Sequence, residues 1–229
     1  MQSSPELLQF AEVCLGRYFT DFTKIVEDFQ TLDVPAFREK YPIFEDLCYS
    51  PKSYESLDEL EDLDEDEIEY EIQGKDTIPI PFLLLFYAFD KKLMARVDWS
   101  GEDETGEVAE AVKHILNNRS VTGFEWDTEK FMESLDWSTI QRGDFIPILF
   151  KAIDAELQKI DHRLAIFFMG DDSYPFTVLS TADFNKVHRL AWSFYAVQGV
   201  DTLGEYRPMG GIFQNRVRAV VQFFRRFTG

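Results

Sequence analysis

The sequence predicts an α+β fold: an antiparallel sheet built from two ββα-like units, flanked by helices, with N-terminal and C-terminal helices packing on it. Three observations carry that expectation. Leu8, Ala11, Leu15, Tyr18, Phe22, Val26 and Phe29 recur at steps of three and four, the spacing of one helix face. Ile68, Tyr70 and Ile72 alternate with Glu67, Glu69 and Glu71, as in a strand with one buried and one wet face. A succession of strand, tight acidic turn, strand, cap and helix then occurs twice.

Taken in order, Ser4-Pro5-Glu6 starts the first, long helix with a capping hydroxyl and a proline at the first helical position, where its missing N–H costs nothing. Asp33 and Pro35 open a second, short helix that Pro42 ends. Within DELEDLDEDEIEYEIQG (58–74) the leucines, with Leu57 before them, keep a helical step, and the second half alternates as a strand. Gly74-Lys75-Asp76 turns the chain. The stretch IPIPFLLLFYAF (78–89) is expected to return as an apolar strand, with Pro79 and Pro81 near its start where a ladder bond is spared.

The first repeat covers LLLFYAFDKKLMARVDW (83–99) and a helix over 107–116 presenting Val108, Ala111, Val112 and Ile115. The second covers 164–180 and a helix over 182–197 presenting Phe184, Val187, Ala191 and Phe194, with Ser180 and Asp183 as a capping box. Two such units would place helices on one side of the sheet. Between them, Asp127 precedes a short helix and Asp144 caps a helix over 145–160, with Pro147 tolerated in its first turn. A last helix over 212–227 would bury Phe213, Val217, Val220, Val221 and Phe224, with Arg225 and Arg226 at the negative end of its dipole. No low-complexity linker interrupts the chain. Residues 1–229 therefore read as one domain, with 1–125 and 126–229 as the alternative subdivision.

Hydrophobic residues make up 45% of the 229 residues and 22 are phenylalanine, enough to build a core and unlike a disordered acidic chain. The net charge is −19, yet everything from Tyr206 onward holds five arginines and no acid, so residues 1–205 carry −24. A field of that sign repels nucleic acid and anionic membrane, which leaves a basic partner, a cation or no partner at all. The start MQSSPELLQF lacks a basic region followed by an apolar one, and 78–89 is too short to span a bilayer. The expectation is a soluble cytoplasmic protein with Cys14 and Cys48 as reduced thiols, Cys14 buried on its helix face.

Candidate chemistry is sparse. Asp171 and Asp172 in FFMGDDSYPF, joined by Asp98, could hold a divalent cation, although Gly and Asp also satisfy an ordinary turn. His114, His162 and His188 are not spaced as a zinc pair, and no Gly-x-Ser-x-Gly elbow or Cys/His signature exists. Arg207, Gly210 and Gly211 could hold an anion before a helix, without the lysine and Ser/Thr of a phosphate loop. No catalytic residue and no cofactor is assigned.

The acidic residues Asp58, Glu59, Glu61, Asp62, Asp64, Glu65, Asp66, Glu67, Glu69 and Glu71 lack the glycine of a calcium loop. They read as a solvated face, which such runs usually are, or as a docking surface, a reading that gains weight from glutamates fixed about 6.8 Å apart along a strand. The functional expectation is a non-enzymatic acidic binding protein that engages, and in the fullest form of the reading neutralises, a basic protein, as inhibitors of basic nucleases and toxin-immunity proteins do. The alternatives are a metal-dependent enzyme using Asp98, Asp171 and Asp172, and a structural subunit of an oligomer.

Overall fold

In the computed structural model, Ser4 caps the first helix as expected: its Oγ accepts from the Leu7 N–H at 3.1 Å and Pro5 occupies the first turn of α1, Pro5–Leu15. The structure describes residues 4–51, 70–72, 74–75, 78–102, 104–141, 143–168, 173–192 and 195–203. The helix expected to continue through residue 29 instead breaks at Gly16, whose φ of 52° lies in the left-handed region that glycine enters without strain. A 3₁₀ turn, Gly16–Tyr18, leads into α2, Phe19–Thr31. The helical spacing of apolar residues survives this break, which is why the sequence did not reveal it.

The described residues group into two compact units, one spanning Tyr18–Tyr87, the other Ser4–Arg17 together with residues 88–203. In the first, Asp33 Oδ1 accepts from the Ala36 N–H at 2.8 Å and starts α3, Val34–Lys40. Pro42 ends it by opening a 3₁₀ turn, Pro42–Phe44. The buried face of α2 meets this segment through rings: Phe29 lies edge-on to Phe37 at 5.0 Å, and Phe37 stacks on Phe44 at 5.5 Å. Two short strands follow, β1 (Tyr49–Pro51) and β2 (Tyr70–Ile72), paired antiparallel.

The apolar run expected as a strand over 78–89 is a helix, α4, Ile80–Asp90. Pro81 sits in its first turn, where no intrahelical N–H is needed, so a residue that suggested the start of a strand marks the start of a helix. Ile80, Phe82, Leu83, Leu84, Leu85, Tyr87 and Ala88 are all buried, leaving no polar face to display a helical period. The first ββα-like unit therefore does not form.

The second unit holds β3 (Ala95–Asp98), α5 (Glu107–Asn118), α6 (Thr128–Glu133), α7 (Phe145–Gln158), β4 (His162–Phe168), β5 (Ser173–Ser180), α8 (Thr181–Val187), β6 (Ala191–Trp192) and β7 (Tyr195–Gln198). The fold is α+β, with an antiparallel sheet in the order β3-β5-β4-β7-β6. The β4–β5 hairpin followed by α8 reproduces the strand–strand–helix order expected there. The helix is shorter than expected: His188 ends it, and Ala191-Trp192 pairs with Tyr195-Ala196 instead of continuing. Ser180 Oγ accepts from the Asp183 N–H at 3.1 Å and donates to Asp183 Oδ2 at 3.0 Å.

Helices cover both faces of this sheet, not one. Leu164, Ile166, Phe176 and Val178 pack with Val112, Ile115, Phe150 and Ile153 of α5 and α7. On the opposite face Phe167 stacks at 5.3 Å on Phe10 of α1. Burial on both sides explains the continuous apolar runs of β4 and β5 in place of strict alternation. The expected C-terminal helix over 212–227 lies outside the described residues. A single domain, as expected from the sequence, would unfold in one transition that coincides by different probes.

Candidate functional site

The acidic segment is framed by backbone pairing. Tyr49 stands opposite Ile72, Ser50 opposite Glu71 and Pro51 opposite Tyr70, so the chain leaves β1 and re-enters β2 at neighbouring positions. Pro51, which cannot donate to a ladder, sits at the strand's end. Glu71 lies on the described backbone of β2. Asp58, Glu59, Glu61, Asp62, Asp64, Glu65, Asp66, Glu67 and Glu69 lie outside the described residues, as does Ile68. Ile72, expected on a buried face, is 44% exposed.

The proposed metal residues converge only as far as backbone register shows. Asp98 stands directly opposite Ser173, the residue that follows Asp172. Asp171 and Asp172 themselves lie outside the described residues. Asp98 Oδ1 accepts from the Ser100 N–H at 2.8 Å and from Ser100 Oγ at 2.6 Å, an Asx turn at the end of β3. Among the described residues no three His, Cys, Asp or Glu side chains stand close enough to hold a metal ion. Arg207, Gly210 and Gly211 also lie outside them. His162 Nδ1 bonds Ile160 O at 2.7 Å and His188 Nδ1 bonds Phe184 O at 3.1 Å, two rings tied to nearby backbone.

Both cysteines are buried free thiols. Burial pushes the Cys14 thiol up to about 11, against an opposing pull from the Arg119 guanidinium. Arg119, at the end of α5, donates through Nη2 to the Cys14 carbonyl at 2.6 Å and to Thr177 Oγ1 at 3.3 Å, and Thr177 Oγ1 donates to Leu93 O at 2.6 Å. Cys14 O is one of the last carbonyls of α1, which lack partners within the helix, so Arg119 serves as its acceptor's missing donor.

Sequence reasoning missed two features of the second unit. The first is a buried ion pair. Asp154, 1% exposed, takes Arg163 Nε at 2.9 and 3.1 Å, the Leu164 N–H at 2.7 Å and Gln158 Nε2 at 2.9 Å. Arg163 also lies over the Phe184 ring at 4.7 Å. The available signal was an acid at a core position of α7, four residues after Phe150 and three before Leu157, both fully buried.

The second is an aromatic surface. Trp126 packs on Phe131 at 5.1 Å, Phe131 on Phe145 at 6.5 Å, and Trp137 stacks on Phe145 at 5.8 Å with a 24° tilt. Trp99 lies against Gly143, whose φ is 92° and where an added Cβ would fall 2.7 Å from Trp99 Cζ3. Asp144, expected to cap α7, instead accepts from the Gln141 N–H at 3.0 Å through Oδ2 and makes no side-chain cap. Asp127 does cap α6, accepting from the Lys130 N–H at 3.0 Å. Trp137 ends this chain of rings 52% exposed.

No helix among the described residues is long and apolar enough to cross a membrane. Comparison with curated proteins and with solved structures finds no match. A family model described as a domain of unknown function, DUF6630, matches residues 37–194, from α3 to the end of the β6–β7 connection, and so takes in the acidic segment, Asp98, Asp171 and Asp172, and the aromatic surface. With more than half its length matched, the chain belongs to the DUF6630 family.

Proposed function

We propose that this chain is a non-enzymatic binding protein of the cytoplasm whose acidic surface engages a basic protein and neutralises it, in the manner of inhibitors of basic nucleases and of toxin-immunity proteins. The observation that carries the reading is the run of acids from Asp58 to Glu71 in a chain whose first 205 residues carry −24. Its anchorage on the β1–β2 pairing supports it, because a charged segment held at both ends loses less freedom on capture than a free tail. A charge of this sign steers a basic partner and repels nucleic acid.

Capture from an extract of the source cell at low and high salt tests the reading. Glu67→Lys, Glu69→Lys and Glu71→Lys together are expected to abolish capture of a basic protein; a docking surface must face outward, and outward-facing substitutions usually cost within about 0.5 kcal/mol each, so the reading also requires the fold to survive the triple change. Identical partner lists from wild type and triple variant would sink it.

The pairing of Asp98 with Ser173 favours a second reading, a metal-dependent enzyme drawing on Asp98, Asp171 and Asp172. It requires that Mg²⁺ or Mn²⁺ raise the melting temperature and that Asp172→Asn remove the shift. Calorimetry without saturable divalent binding eliminates it.

A further inference from the structure

We propose that Trp137 is a stacking platform for an arginine side chain of a basic protein partner. The inference rests on the proposed class of partner but on a different surface from the acidic segment. Trp137 is 52% exposed, whereas Ile43 and Ile72, the other exposed large hydrophobics among the described residues, stand at 37% and 44%. Its ring is held by the stack on Phe145, 5.8 Å between centroids at 24°. Phe145 is in turn backed by Phe131 and Trp126. A ring supported on one face and open to solvent over half its area offers a preorganised π face, with little side-chain entropy left to lose on binding.

Charge selects the occupant. Glu125, Asp127, Glu129, Glu133, Asp136 and Asp144 are exposed in the segment that carries these rings, against two cations, Lys130, which is exposed, and Arg142, which lies outside the described residues. Asp136 and Asp144 each turn one carboxylate oxygen to local donors, Oδ1 to Ser138 and Oδ2 to Gln141 respectively, which holds the carboxyl in place and leaves its second oxygen for an incoming N–H. A guanidinium satisfies both features at once: its plane stacks on indole and its edge donates to carboxylate. A neutral apolar side chain would use the ring and waste the acids, and a lysine would use the acids with a weaker stack.

The test uses the full chain and an arginine homopeptide, with a lysine homopeptide of equal length alongside, followed by calorimetry and by the indole N–H resonance of Trp137, identified by its loss in Trp137→Phe. The arginine peptide is expected to shift that resonance, and Trp137→Leu, which keeps apolar area and removes the π face, to weaken its binding about tenfold. Trp137→Phe should recover part of the loss, and the lysine peptide should be less sensitive to either change. Equal affinity of wild type and Trp137→Leu overturns the proposal, as does a Trp137 resonance unmoved at saturation. Glu67→Lys, Glu69→Lys and Glu71→Lys separates this from the functional reading: loss of natural partner capture with the Trp137 shift retained leaves the platform standing, and the reverse pattern removes the platform alone.

Discussion

Asp154 and Asp28 are the same residue type doing the same chemistry in different solvents. Asp154 lies in the second unit beneath the sheet, 1% exposed, with Arg163, Leu164 and Gln158 filling its acceptor sites. Asp28 lies on α2 of the first unit with Lys40 Nζ at 2.7 Å and the Tyr41 hydroxyl donating to the same Oδ2. Its side chain keeps 20% exposure and that of Lys40 keeps 46%, so water competes for both. The difference teaches that number of partners does not set energetic weight. Removing a partner from a buried pair strands a charge where water cannot reach it, and removing one from a wet pair hands its role to solvent.

The largest effect should come from Asp154→Ala, which leaves Arg163 only its 3.4 Å contact to the exposed Asp201 and the buried Leu164 N–H without its acceptor, and is expected to cost about 3–5 kcal/mol in denaturant unfolding. Replacing both ends, Asp154→Leu with Arg163→Met, should recover most of that loss, because no charge is left stranded. A cost under about 1 kcal/mol for the single change would break the comparison.

The next effect appears in alkali. The folded Cys14 thiol, pushed to about 11 from 9.0 by burial, holds its proton where the unfolded thiol releases it, so stability is complete below pH 9 and declines between pH 9 and 11. The loss should approach about 2–3 kcal/mol and vanish in Cys14→Ala. Tyr41, pushed up to about 12 by burial and then by its bond to Asp28, extends the decline from pH 10 to 12, and Tyr41→Phe should remove that upper part alone. A stability curve flat from pH 8 to 12 would contradict both.

The smallest belongs to Asp28. Hydrogen bonds from Lys40, then Tyr41, hold its carboxyl below 3.8, so its contribution is present above that value and is lost as pH falls through the lower folded one. Asp28→Asn should leave stability at neutral pH almost unchanged and flatten the acid limb, an effect that added salt reduces. A neutral-pH loss comparable to that of Asp154→Ala would mean that exposure is not the deciding variable.

The parts of the fold legible in sequence were those with an amphipathic period or a local cap. Ser4, Asp33, Asp127 and Ser180 all cap helices through side-chain oxygens, and α5 and α7 fall where their apolar faces placed them. The expectations failed at the Gly16 break, through which the apolar step continues, and at two further stretches, one where burial erases the period and one where the period outlasts the helix. In α4 the residues from Phe82 to Leu85 are all buried, so a helix and a strand of the same composition look alike, and the leucines, better helix formers than strand formers, were outweighed by two prolines. Past Val187 the apolar step to Ala191 persisted by coincidence, while pairing with β7 decided the structure. Of the candidate site, composition revealed the acids and nothing local revealed Trp137, because exposure of a tryptophan depends on what fails to cover it.

The pairing of Pro51 with Tyr70 also bears on how this protein can change over evolution. A segment whose two ends are already clasped has its closure entropy set once, and that entropy grows only with the logarithm of length, about 0.6 kcal/mol for each doubling. Residues 52–69 can therefore lengthen, shorten or exchange their acids at small cost to the ribbon that holds them. The clasp makes this part of the chain replaceable cargo, so variation in charge and length among related chains should concentrate between β1 and β2 while the five-stranded sheet keeps its register.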